Sequence, residues 1–157
     1  PEYVALSYTW GSPDAPLRIS VDGSCLEVTA NLHSVLKVLA KLRHLRGRPL
    51  WIDAICIDQK DDKEKSFQVP LMGHIFSQAS EVLAWIGDEE DGSCDVLYTL
   101  AALGGHFESQ NSASTMHTTR WSAQQKALRR ANLDQTRKLF MRAWWHRVWV
   151  IQEVTLA

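Results

Sequence analysis

Hydrophobic positions along the chain form short apolar runs that alternate with stretches of helical spacing. Three runs are predicted to form strands of one sheet: residues 3–8 (YVALSY), 50–57 (LWIDAICI) and 81–86 (EVLAWI). The run at 50–57 is almost wholly apolar apart from Asp53, which is typical of a central strand that is covered on both faces. Because strands alternate with helices, the fold class is predicted to be α/β, with a mainly parallel sheet flanked by helices.

Between the first two runs, the sequence predicts a β-hairpin and a helix. Residues 17–22 and 26–29 alternate around Asp22-Gly23, which is a hairpin signal, so the hairpin is predicted as an embellishment of the sheet. Thr29 or Asn31 can cap the next helix. Its apolar face is predicted from the spacing of Leu32, Val35, Leu36, Leu39, Leu42 and Leu45, and Gly47 and Pro49 are predicted to end it.

Further helices are predicted in the second half of the chain. One carries Val69, Met72, Ile75, Phe76 and Ala79, and another carries Val96, Leu97, Leu100 and Leu103 and should end at Gly104-Gly105. Residues 121–141 and 144–156 are also predicted to be helical. Residues 106–119 are polar and rich in Ser and Thr, so we expect a loop there, and the most mobile internal stretch of the chain.

Composition narrows the class of protein. The chain has 157 residues, which fits one domain, and a net charge of -1, which gives no reason to expect nucleic acid as a partner. Without an apolar run near 18 residues or a signal-like start, we predict an intracellular, cytoplasmic protein that does not contact a membrane. The cysteines and histidines lack metal-ligand spacing, so no metal site is predicted. Because the chain begins at Pro1 without Met, we expect a fragment of a longer protein.

Three segments resemble, in order, the signature blocks of the fungal heterokaryon-incompatibility (HET) family. They are residues 5–11 (ALSYTWG), 50–59 (LWIDAICIDQ) and 144–154 (WWHRVWVIQEV), and a weaker match covers Gln68, Val69, Met72, Ile75 and Ala79. The departures are mild, with Asp58 where the family usually has Asn, Lys65 where it usually has Arg, and Phe76 where Tyr is frequent. Because the blocks span nearly the whole chain, residues 1–157 are identified as a member of this family.

This resemblance implies a role in fungal self/non-self recognition and programmed cell death. The family is also distantly similar to the Toll/interleukin-receptor (TIR) domain, which implies a flavodoxin-like sheet. Some TIR domains cleave the nicotinamide-ribose bond of NAD, which implies a NAD glycohydrolase with NAD as substrate and no resident cofactor. In such domains a Trp stands four residues before the catalytic Glu, as Trp149 does before Glu153, and a strand ends in Ser and an aromatic residue, as at Ser7 and Tyr8.

On this reading Glu153 is the catalytic residue. A carboxylate near the ribose can stabilise an oxocarbenium-like centre, and an indole on the same helix face can seat a cationic ring. Ligands of open α/β sheets lie beyond the carboxyl ends of the strands. The predicted substrate-binding residues are Ser7, Tyr8, Trp10, Gly11, Asp53, Asp58 and Trp149, and several of them should converge on one cleft.

Each of these assignments has a structural alternative. Glu153 can instead pair with Arg147, Trp145 and Trp149 can be core residues, and Asp53 can serve only as a hydrogen-bonding group. The whole domain can also be a non-enzymatic module that signals death by assembly or recruitment. Its partners would then be other domains of the parent chain, death-signalling proteins or a second copy of itself. An enzyme requires a polar pocket at Glu153, whereas an interaction module requires an exposed apolar patch.

Overall fold

The computed structural model describes the backbone of residues 2–110 and 133–150, and the side chains of 2–101 and 133–150. The strands are β1 Val4–Tyr8, β2 Leu17–Val21, β3 Ser24–Val28, β4 Leu50–Trp51 and β5 Glu81–Trp85. The helices are α1 Ala30–Leu39, α2 Asp53–Cys56, α3 Asp62–Gln68, α4 Met72–Gln78, α5 Ser93–Gln110 and α6 Leu133–Phe140, with 3-10 turns at Arg43–Leu45, Val69–Leu71 and Ala143–His146. These elements form two compact units, Pro1–Ile86 with Ala143–Ala157, and Gly87–Arg142.

The first unit is built on a parallel three-stranded sheet of order β4-β1-β5. All five residues of β1 are buried, because the strand is covered on both faces. Val4, Leu6 and Tyr8 belong to a core cluster that includes Leu32 and Val35 of α1. On the other face, a second cluster joins Ala5 to Met72 and Phe76 of α4. The predicted α/β class, with a mainly parallel sheet flanked by helices, is confirmed.

The prediction that residues 50–57 form the central strand is wrong. Strand β4 covers only Leu50–Trp51 and lies at the edge of the sheet, whereas β1 lies at the centre. Residues Asp53–Cys56 form the short helix α2 instead. A carboxylate at Asp53 in a strand buried on both faces would lack donors, and such burial is costly. At the start of α2 the same carboxylate accepts the backbone N–H of Ala54 at 2.7 Å.

The hairpin and the cap of the first helix are confirmed. Strands β2 and β3 pair antiparallel, and Asp22 and Gly23 both have positive φ angles, of 50° and 80°, as a type I′ turn requires. Thr29 Oγ1 accepts a hydrogen bond from the backbone N–H of Leu32 at 3.3 Å, so Thr29 is the N-cap of α1. The helix ends at Leu39, earlier than its apolar spacing suggests, and the chain continues as a 3-10 turn.

Two predicted helix boundaries in the second half of the chain are also wrong. Helix α5 continues through Gly104-Gly105 to Gln110, since a glycine costs a helix only about 1 kcal/mol and does not by itself end it. The predicted helix at 144–156 begins as the 3-10 turn Ala143–His146, and its helical conformation is interrupted at Arg147. Trp145 and Trp149 therefore do not share one continuous helix. Three predicted stretches lie outside the described residues: the rest of the predicted loop at 106–119, and residues 121–132 and 151–157.

The second unit contains α5 and α6, which pack against each other. Glu89 lies before α5, and its carboxylate accepts hydrogen bonds from Ser93 Oγ and from the backbone N–H of Cys94. The pKa of Glu89 is lowered, first by a hydrogen bond from the Cys94 side chain, then by the Cys94 backbone N–H and by Ser93. No helix within the part of the chain that the structure describes is long and apolar enough to cross a membrane.

Candidate functional site

A pocket of about 490 Å³ opens in the first unit, next to the carboxyl end of β1. This volume lies within the range of about 300–1,000 Å³ that is typical of small-molecule sites. Its lining residues are Thr9, Trp10, Gly11, Asp53, Ile57, Gln59, Lys65, Val69, Met72, Arg147 and Trp149. They include members of all three segments singled out in the sequence, at 5–11, 50–59 and 144–154. Segments that are far apart along the chain thus meet at one cavity.

Asp53 anchors one wall of this pocket. Its Oδ2 accepts a hydrogen bond from Trp10 Nε1 at 2.8 Å, and its Oδ1 accepts the N–H of Ala54. The hydroxyl of Tyr8 also donates to this carboxylate. Asp53 is 9% exposed, so these bonds form where water competes little. The carboxylate therefore fixes the orientation of the Trp10 indole.

Tyr8 is buried and does not line the pocket itself. Burial raises the pKa of the Tyr8 phenol, and the charge of Asp53 and the hydrogen bond to it raise this pKa further, whereas Arg147 opposes them. The phenol consequently stays protonated at every physiological pH. It acts as a neutral donor to Asp53 and links the central strand to the pocket wall.

Ser7 holds the third segment of the site against β1. Its Oγ accepts hydrogen bonds from Trp144 Nε1 at 2.9 Å and from Arg147 Nη1 at 3.4 Å. Ser7 is buried, and Trp144 packs edge-on against Trp145 with ring centroids 4.8 Å apart. This buried hydroxyl therefore helps to place Arg147, which lines the pocket.

Gly11 shapes the turn that carries Trp10 out of β1. Its φ of +76° lies in the left-handed region, and a Cβ added there would come 3.1 Å from Cβ of Asn31. Asn31 braces the same turn, since its Nδ2 donates to the carbonyl oxygen of Thr9. Its Oδ1 accepts Trp85 Nε1 at 3.3 Å, which connects the turn to β5.

Replacing Gly11 by alanine should therefore destabilise the protein. The left-handed backbone alone should cost about 1–2 kcal/mol, and the contact with Asn31 should add about 1 kcal/mol or more. Gly47→Ala is a matched control, because Gly47 has a φ of +77° and open space around its Cβ position. Denaturant unfolding should show Gly11→Ala to be the less stable variant. Equal stabilities would contradict the close contact.

Comparison with known proteins identifies the family. The family model described as "Heterokaryon incompatibility protein (HET)" matches residues 3–153. The chain belongs to the heterokaryon incompatibility (HET) family. It is also similar to "Heterokaryon incompatibility protein 6, OR allele" of Neurospora crassa, with 44% identity over 118 residues.

The match to the Neurospora crassa protein covers only part of both chains. It spans 68% of this chain and 17% of that protein, so the HET domain corresponds to a small part of the relative. No solved structure matches the chain. The TIR-like and flavodoxin-like topology therefore stays a prediction.

The structure of the HET domain brings some predicted site residues together and leaves others apart. Trp10, Gly11, Asp53 and Trp149 line the pocket, whereas Ser7 and Tyr8 are buried and do not line it. Asp58 is exposed and does not line it; its Oδ1 accepts the N–H of Lys60 at 2.9 Å. Glu153 lies outside the described residues, so its predicted position by the pocket stays a prediction.

Several residues of the HET pocket were not among the predicted site residues. They are Thr9, Ile57, Gln59, Lys65, Val69, Met72 and Arg147. Gln59 fixes the turn after α2, because its Nε2 donates to the carbonyl oxygens of Asp53 at 2.9 Å and Ile57 at 3.2 Å. Gln59 and Arg147 belong to the matched segments at 50–59 and 144–154. This membership could have identified both as candidate site residues. Among the described residues, no group of three or more His, Cys, Asp or Glu could hold a metal ion.

Proposed function

We propose that this HET domain is a self/non-self recognition and cell-death effector whose pocket binds NAD and cleaves it to nicotinamide and ADP-ribose. The observation that carries the proposal is the convergence of three distant segments on one cavity of about 490 Å³. Similarity to a Neurospora crassa protein named for heterokaryon incompatibility supports the biological role. The proposal includes a cytoplasmic location.

The order of the strands supports a ligand at this position. With the hairpin set aside, β4-β1-β5 places the first strand between the second and the third, as in the first three strands of a flavodoxin-like sheet. In that sheet the ligand lies at the carboxyl end of the first strand, where the strand order reverses. Here Thr9, Trp10 and Gly11 follow directly on β1 and line the pocket.

The side chains of the pocket suit the chemistry of glycosidic cleavage. Trp10 and Trp149 are 41% and 38% exposed, so indole surface is open to a planar cationic ring such as nicotinamide. The C–N bond to the ribose breaks, its electron pair leaves with neutral nicotinamide, and water bonds to the ribose carbon and loses a proton to solvent. The developing positive charge on the ribose requires a nearby carboxylate. We assign this role to Glu153, which follows Trp149 by four residues.

The test of this proposal is nicotinamide release from NAD by the purified full-length protein. Trp149→Ala should lower kcat/KM about tenfold or more, because stacking of a base on an aromatic side chain is worth about 1–3 kcal/mol. Val148→Ala is the matched control, since Val148 is adjacent, 82% exposed and not part of the lining. No release by the wild-type protein, or equal activity of both variants, would contradict the proposal.

A second candidate function is a non-enzymatic interaction module. One observation favours it, since Phe67 on α3 is 70% exposed, and Val69 and Leu71 follow at 36% and 38%. Its partners would be further domains of the same protein, death-signalling proteins or a second copy of this chain. Cell killing by a protein that consumes no NAD would favour this function. Killing that disappears with Phe67→Ser while NAD cleavage persists would favour it too.

A further inference from the structure

Among the residues that the structure describes, the charged side chains lining the pocket are two cations, Lys65 and Arg147, and one carboxylate, Asp53. The carboxylate accepts hydrogen bonds from Trp10, Tyr8 and the backbone of Ala54, so it is engaged by donors of the protein itself. A ligand in the pocket therefore meets cationic donors beside two indoles. This combination suits a molecule that carries both an anionic group and a planar ring.

Lys65 can exchange its present contact for a ligand. Its Nζ lies 2.6 Å from Asp62 Oδ1, one turn earlier on α3, and the side chain of Asp62 is 93% exposed. Exposed ion pairs of this kind contribute little to helix stability, so little opposes their replacement. An ammonium group also has three N–H donors, and one contact to Asp62 does not use them all.

A buried hydroxyl of the core positions the side chain of Arg147. Its Nη1 donates to the hydroxyl of Ser7, which is 1% exposed and lies in the central strand. The same hydroxyl also accepts a hydrogen bond from Trp144 Nε1. Two side chains of one short segment are therefore bonded to the same residue of β1. A guanidinium held in this way loses less conformational entropy when it binds an anion. Ser7 is thus a positioning residue that acts through Arg147.

We propose that Lys65 and Arg147 form an anion subsite that binds the phosphate of a nucleotide whose ring packs on an indole of the pocket. A guanidinium group can donate two parallel hydrogen bonds to one phosphate. The ammonium group of a lysine binds phosphate as a compact point charge. The volume of about 490 Å³ suits a small molecule rather than a folded partner. The inference rests on the proposed function only in taking the same pocket as the ligand site.

The experiment compares ADP with adenosine, which differ only in the diphosphate, by calorimetric titration of the full-length protein. ADP should bind at least about tenfold more tightly than adenosine, the equivalent of one charge-assisted contact. Lys65→Met should weaken ADP binding about tenfold and leave adenosine unchanged, whereas Lys65→Arg should retain most of the ADP affinity. Lys63→Met is the matched control, because Lys63 lies on the same helix but does not line the pocket.

Two further measurements test the contribution of Arg147 and of charge to ADP binding. Ser7→Ala should lower the ratio of ADP to adenosine affinity severalfold, which a purely structural role of the hydroxyl would leave unchanged. In the wild-type protein, raising NaCl from roughly 0.05 to 0.5 M should weaken ADP binding and spare adenosine, because salt screens charges. Equal affinities for ADP and adenosine, or an unchanged ratio in Lys65→Met, would overturn the proposal. ADP has no nicotinamide bond, so this result is independent of whether the protein releases nicotinamide.

Discussion

Replacing Glu153 by glutamine is expected to lower the rate of NAD cleavage by roughly a hundredfold or more, which corresponds to about 2.7 kcal/mol of lost transition-state stabilisation. Glutamine has nearly the same shape as glutamate but no negative charge. On the proposed function it would fill the same space as the glutamate but would not stabilise the positive charge that develops on the ribose as nicotinamide departs. The effect should fall on kcat more than on KM, because the charge exists only in the transition state. Nicotinamide release by the full-length protein measures both constants.

Three outcomes for Glu153→Gln lead to different conclusions. A folded variant that has lost both NAD cleavage and cell killing supports the enzyme. Cleavage at the wild-type rate shows that another group carries the charge, and a variant that fails to fold shows that Glu153 is structural. Glu27→Gln is the control, because Glu27 forms an exposed ion pair with Arg18 on the hairpin and does not line the pocket. Its activity should equal that of the wild-type protein.

Replacing Asp53 by asparagine is expected to lower the free energy of unfolding by about 2–3 kcal/mol. The two carboxylate oxygens accept the N–H groups of Trp10 and Ala54, and the Tyr8 hydroxyl donates to the same carboxylate. An asparagine has one acceptor oxygen and one NH2 group, so at least one of these donors would face another donor. The loss of charge also weakens the bonds that remain. Urea or guanidinium unfolding measures the change.

The Asp53→Asn variant should also show a more mobile Trp10, because the indole N–H loses its acceptor. Asp58→Asn makes the same chemical change at an exposed position and should shift stability by less than about 0.5 kcal/mol. If the two variants were equally stable, the hydrogen-bond network at Asp53 would contribute nothing to the fold. The wall of the pocket would then need another explanation.

The sequence predicted those elements that are set by local signals. The hairpin follows from Asp22-Gly23, and the start of α1 follows from Thr29, because both depend on a few neighbouring residues. The strand at β1 was predicted from its apolar run, but its place at the centre of the sheet was not. Which strand lies in the middle depends on packing between distant segments, and β1 is covered by α1 on one face and α4 on the other.

The segment 50–57 shows why the pattern of hydrophobic residues alone predicted the wrong secondary structure. A short apolar run fits a buried strand or a buried helical turn equally well, and only its single polar residue distinguishes them. Asp53 is that residue, and its acceptors are satisfied by Trp10 and Tyr8, which stand more than 40 positions earlier in the chain. No local pattern could reveal those donors. The chain leaves the sheet at Ile52 because of contacts that exist only in the folded protein.

For the candidate site, the HET signature segments predicted more of the lining residues than the chemistry of individual side chains did. The segments predict Trp10, Gly11, Asp53 and Trp149 as substrate-binding residues, and all four line the pocket. Met72 and Val69 are predicted on the apolar face of a helix, and the same side chains also line the cavity. A side chain that both packs and lines a pocket has no distinct signature in sequence.

The pocket also has a consequence for the order of events on the ribosome. Its walls include Thr9 in one early segment and Trp149 in a late one, and the central strand β1 pairs with β5, whose last residue is Trp85. At roughly 5–20 residues per second, synthesis takes about 7–28 s to proceed from Thr9 to Trp149. Throughout that interval the growing chain has a first strand but no complete cavity. The proposed activity would therefore be absent until translation has passed the last signature segment.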